Sequence, residues 1–167
     1  MKDLKIKMKN SLTVGIAFFI IIITLTGSKV ARTYSDGQKI TLTITEADYG
    51  DFDNDGSEDD IIIKAIMKAN FQGDYQAYIY LDITLPSGMV YKFSFQVMLS
   101  FYGDSSLEIT ITAYDTAIEA GWYECKLTSI LIYEDMLIYS YSTYTFDPPT
   151  EKGPGQPTAE IAITSNE

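Results

Sequence analysis

The chain has 167 residues, with 23 acidic against 12 basic side chains, no histidine and a single cysteine. A net charge of -11 repels nucleic-acid phosphates and anionic lipid headgroups, so neither is expected as a partner. The lack of histidine removes the commonest general base and any imidazole metal ligand, and one thiol can form no intrachain disulfide. Cys125 is therefore expected to be a buried, inert side chain.

Residues 1–10 are rich in lysine, and residues 12–25 are almost wholly apolar. A basic start, an apolar run and small residues after it (Thr26, Gly27, Ser28) describe a secretory signal peptide over 1–28, with cleavage after Ser28. The run falls short of a comfortable membrane span of ~20 residues, and the other reading is an uncleaved N-terminal anchor. Both place the rest of the chain outside the cell or at its surface and confine membrane contact to this segment.

The remainder is rich in Tyr, Ile and Thr, which suit a pleated, half-buried surface. Residues 39–45 alternate, with Ile40, Leu42 and Ile44 on one face and threonines on the other, as in a half-buried strand. After an acidic loop at 51–60, a second strand sets Ile61, Ile63, Ala65 and Met67 on one face. Strands follow at 76–85, 90–100, 107–113, 121–132 and 136–146, the last rich in Tyr and Ser and ambiguous in its facing. Turn signals such as Pro86-Ser87-Gly88 separate them. Seven evenly spaced strands without a helical pattern predict an all-β, two-sheet antiparallel sandwich over 29–149. Residues 150–167, with Gly153, Pro154, Gly155 and Pro157, are expected to form a flexible or extended tail.

The loop concentrates the chemistry. Ca²⁺ takes six to eight oxygens at ~2.3–2.6 Å, and alternate residues of a tightly curved loop can point inward together. Asp51, Asp53, Asp55 and Asp59 would each offer a carboxylate, and Ser57 its backbone carbonyl. Gly56 permits the sharp turn. Six acidic residues within 51–60 repel one another unless something neutralises them. The alternative is a solvated acidic turn that serves solubility. The loop is not an EF-hand, because Ile62 stands where the closing glutamate belongs and no helices flank it. Its D-x-D-x-D-G-x-x-D spacing resembles the calcium loops of FG-GAP and thrombospondin type 3 repeats. That resemblance covers ten residues and implies bound Ca²⁺, not those folds.

A second motif is Glu119-Ala120-Gly121-Trp122-Tyr123-Glu124-Cys125. It resembles the D-x-G-x-Y-x-C signature opening strand F of immunoglobulin-like domains, with Glu119 in place of the leading aspartate. The resemblance implies an immunoglobulin-like or fibronectin-III-like sandwich in which the Tyr123 hydroxyl bonds back to the backbone at the corner before its strand. It also turns Tyr123, Cys125 and Leu127 inward. The strand-B cysteine and the core tryptophan of antibody domains are missing.

These features together predict a non-enzymatic, calcium-stabilised module in adhesion, cell-surface structure or ligand binding. Its partner would be an extracellular protein or a carbohydrate, met by Trp122 and the outward Tyr78, Tyr80 and Tyr114. One alternative is a subunit that self-associates by strand addition through the alternating segment 159–164. Another is a secreted hydrolase using paired carboxylates.

Overall fold

The computed structural model describes residues 39–102, 105–133, 136–147 and 157–166. The expected leader over 1–28 lies outside them. Eight strands run in chain order: β1 (Ile40–Gly50), β2 (Asp60–Ala69), β3 (Gly73–Thr84), β4 (Val90–Phe101), β5 (Ser106–Tyr114), β6 (Tyr123–Tyr133), β7 (Met136–Phe146) and β8 (Thr158–Asn166). They form two four-stranded sheets, ordered β1-β2-β5-β8 and β4-β3-β6-β7, and every pairing is antiparallel. The architecture is an all-β two-sheet sandwich, consistent with the immunoglobulin-like arrangement.

The core follows from the period-2 alternation of each strand. Ile61, Ile63, Ala65 and Met67 of β2 and Ile109 and Ile111 of β5 line one sheet. Ala77, Ile79, Leu81 and Ile83 of β3 and Tyr123, Cys125 and Leu127 of β6 line the other, and all these side chains are buried. One end is closed by an aromatic cluster: Phe71 lies 4.8 Å from Tyr75 and 5.6 Å from Phe101, ring centre to ring centre. Such tilted and edge-on contacts suit the quadrupoles of the rings.

Three departures from the sequence reading have physical causes. β1 extends to Gly50, beyond Thr45, because its pairing with β2 shifts between Ile44 and Glu46. This bulge at Thr45 moves the inward positions from even to odd numbers, so Ala47 and Tyr49 pack partly against the core. The expected tail contains an eighth strand: Thr158–Asn166 pairs with β5 along its length and buries Ala159 and Ile161. The alternating segment 159–164 thus completes its own sheet, where the sequence reading offered it to a neighbouring molecule.

The third concerns β7, whose facing the sequence left ambiguous. Ile138, Ser140, Ser142, Tyr144 and Phe146 are half-buried, whereas Leu137, Tyr139, Tyr141, Thr143 and Thr145 are exposed. The two serines point to the edge of the opposite sheet. The Leu42 N–H donates to Ser140 Oγ at 3.2 Å, and the Ile44 N–H to Ser142 Oγ at 3.0 Å. Edge strand β1 therefore finds acceptors on side chains of β7, and the sandwich is stitched along that seam.

The corner between β5 and β6 is built as the motif implied. The Tyr123 hydroxyl donates to the Glu119 carbonyl and accepts from the Glu119 N–H, both at 2.8 Å. Glu119 in turn accepts from the Ser87 N–H and hydroxyl, each at 2.8 Å, which ties the β3–β4 turn to the corner. Gly121 has φ of 126°, and a Cβ there would meet Pro86 Cγ at 3.1 Å, so both conformation and space call for glycine.

Candidate metal centre

Gly50, the last residue of β1, pairs with Asp60, the first of β2. Residues 51–59 are therefore a loop whose two ends are already side by side. No lysine or arginine occurs between Glu46 and Lys64, so the loop carries no cation of its own. Its backbone curls around its carboxylates. Asp51 accepts from the Asp55 N–H through Oδ1 and from the Gly56 N–H through Oδ2, both at 3.1 Å. Asp53 Oδ1 also accepts from the Asp55 N–H at 3.1 Å, and Asp55 Oδ1 from the Ser57 N–H at 2.7 Å. Asn54 and Gly56 take φ of 64° and 95°, a region that asparagine and glycine tolerate better than most residues.

Asp60 anchors this curl from below. Its Oδ2 accepts from the Phe52 N–H at 2.7 Å and the Asp53 N–H at 3.1 Å, and its Oδ1 accepts from the Asp115 N–H at 2.9 Å. The last bond reaches the turn that follows β5. The same turn is held by the Asp59 carbonyl, which accepts from the Thr116 N–H at 2.8 Å and the Ala117 N–H at 2.6 Å. The loop and the β5–β6 connection are thus one hydrogen-bonded corner.

Two sets of carboxylates converge here. One oxygen each from Asp51, Asp53 and Asp60 lie within 4.8 Å of one another, and so do one each from Asp59, Asp60 and Asp115. Of the five residues the sequence singled out, Asp51 and Asp53 come together, with Asp60 as third member. Asp59 turns inward to the other set. The carboxylate of Asp55 is in neither, and Ser57 is half-buried beside it in the chain. Sequence reasoning missed Asp60 and Asp115 as site residues. Asp60 reads as the first residue of a strand, and Asp115 lies 55 residues further on with no local signal except its place after β5.

Burial and like charge act together on these carboxylates. Asp59 and Asp60 are 1% and 0% exposed. Burial, with the neighbouring charges of Asp115, Asp60 and Asp55, pushes Asp59 up from 3.8 to about 6. Burial also raises Asp60, against the opposing effect of the N–H groups of Asp115, Phe52 and Asp53. An oxygen-only, anionic donor set of this kind suits a hard cation such as Ca²⁺ or Mg²⁺.

A different surface lies on the outer face of the β4-β3-β6-β7 sheet. Tyr78 pairs with Ile130, which pairs with Tyr139, and Tyr80 pairs with Thr128, which pairs with Tyr141. Paired residues share a face, so these four tyrosines form two rows on one side of the sheet. Tyr80, Tyr139 and Tyr141 are exposed, as are Leu137, Met98 and Trp122. Tyr114, expected to join them, belongs to the other sheet, where burial and the neighbouring Glu160 push its hydroxyl up to about 12. Compared with family models, curated proteins and solved structures, the chain matches none.

Proposed function

We propose that this chain is an exported, calcium-stabilised β-sandwich module that works by surface interaction with an extracellular protein or carbohydrate. The observation that carries the reading is the convergence of the Asp51, Asp53 and Asp60 carboxylates in a loop without a lysine or arginine. Ca²⁺ is the ion whose size and appetite for oxygen fit a loop that also offers Asp55 and the Ser57 carbonyl. Export rests on the basic start and the apolar run at 12–25. Surface interaction rests on the tyrosine rows, whose amphipathic rings bury well against sugars or partner side chains. A finer kinship with immunoglobulin-like domains is supported by the Tyr123 corner. A non-catalytic role agrees with the absence of histidine and with Cys125, buried and pushed up to about 12 by desolvation.

Thermal unfolding of the full chain with calcium and with chelator tests this reading. An ion that binds only the folded state at 100 times its Kd adds about 2.7 kcal/mol, or roughly 10 °C in the midpoint of a domain this size. Asp53→Ala should abolish most of that gain. A midpoint indifferent to calcium would reduce the loop to a solvated acidic turn.

A further inference from the structure

The set formed by Asp59, Asp60 and Asp115 differs from the loop set in its setting. The loop aspartates Asp51 and Asp53 are half-buried or exposed, whereas Asp59 and Asp60 are sealed from solvent. Among the described residues, Asp59 Oδ2 is buried and has no hydrogen-bond partner. An ionised carboxylate oxygen left in that state loses its hydration and gains nothing in return. Protonation neutralises only one carboxylate and does not resolve the repulsion between the converging oxygens of Asp60 and Asp115. A cation does, since it takes lone pairs from three converging oxygens at once and offsets their mutual repulsion.

The position of Asp60 links the two sets. Its Oδ2 faces the loop through Phe52 and Asp53, and its Oδ1 faces the β5–β6 turn through Asp115. Oδ2 already accepts two N–H groups, whereas Oδ1 accepts one and keeps a lone-pair direction for a metal. Asp115 is held at φ of 56°, a conformation costly for most residues, and this sets its carboxylate beside Asp59 and Asp60.

We propose that Asp59, Asp60 and Asp115 hold a second hard divalent cation, Ca²⁺ by its chemistry, with Asp60 standing between it and the loop ion. The second ion clamps the start of β2 to the turn that leads into the Tyr123 corner. It depends on the loop reading only through Asp60, and its remaining carboxylates are its own.

Equilibrium dialysis of the full chain against radiolabelled Ca²⁺ at millimolar free concentration tests the proposal. The parent should bind two ions. Asp115→Asn and Asp115→Gly, both compatible with positive φ, should each bind one. Asp53→Ala should also bind one, having lost the loop ion instead. A parent that binds one ion, kept by both Asp115 variants and lost in Asp53→Ala, overturns the second position and leaves the loop reading intact. A parent that binds one ion, lost in the Asp115 variants and kept in Asp53→Ala, supports the second position and removes the loop reading. No binding overturns both. Should neither Asp115 variant show the parent's far-ultraviolet circular dichroism, the Asp53→Ala count decides: one retained ion supports the proposal and none overturns it.

Discussion

Tyr123 illustrates how much a single side chain can carry in this fold. Its ring is buried, and its hydroxyl satisfies both the N–H and the carbonyl of Glu119. Tyr123→Phe keeps the ring and removes both bonds. It should cost about 1–3 kcal/mol, read as a lower urea midpoint with an unchanged slope. The same residue makes the fold sensitive to alkali. Burial raises the Tyr123 hydroxyl from 10.0 and the Cys125 thiol from 9.0, each to about 12. Both groups are neutral in the folded chain, while an unfolded chain ionises them at their ordinary values. Their contribution to stability is therefore complete below pH 9.0 and is lost as the pH rises towards about 12. Denaturant midpoints should fall steadily over that range, less steeply above pH 10 in Tyr123→Phe. A flat profile would contradict the assigned environments. This corner was legible in the sequence because its signals are local: Gly121, Tyr123 and Cys125 sit within five residues. Asp115 was not legible, because only the pairing of β2 with β5 brings it to Asp59 and Asp60.

At the scale of the strands, alternation predicted seven of the eight, with the inward faces of β2 and of the first half of β1 assigned correctly. It failed where alternation is interrupted or is not purely apolar. The bulge at Thr45 hid the second half of β1, since a strict period of two would have turned Glu46 inward. The alternation within β8 was read at 159–164, but the Gly/Pro-rich stretch before it set it in a tail and so offered it to a neighbouring molecule instead of to β5. β7 was ambiguous because its inward residues include serines that act as acceptors for β1. This role is testable. Ser140→Ala and Ser142→Ala should each cost about 0.5–1.5 kcal/mol, with faster amide exchange at Leu42 and Ile44 respectively. Unchanged exchange at both amides would mean that the seam between β1 and β7 is held by packing alone.

Over the whole molecule, acidic groups are gathered where the β1–β2 loop meets the β5–β6 connection. The sheets supply a rigid frame, and the corner is where burial, charge and positive φ accumulate. The sequence pointed to the loop and to Ca²⁺ chemistry through spacing alone. It did not reveal that Asp59 turns inward or that Asp60 accepts three backbone N–H groups, because both depend on where β2 begins relative to β5. Binding an ion here should order two segments distant in sequence while leaving the sheets as they are.

The most direct measurement is residue-resolved amide hydrogen exchange in calcium and in chelator. The account predicts slower exchange in calcium for Asp53, Asp55, Gly56 and Ser57 of the loop, and for Asp115, Thr116 and Ala117 of the distant turn. Protection of core amides such as Ile79 and Leu81 should rise only by the gain in global stability. Identical exchange of the loop and turn in both conditions would contradict a cation-built corner.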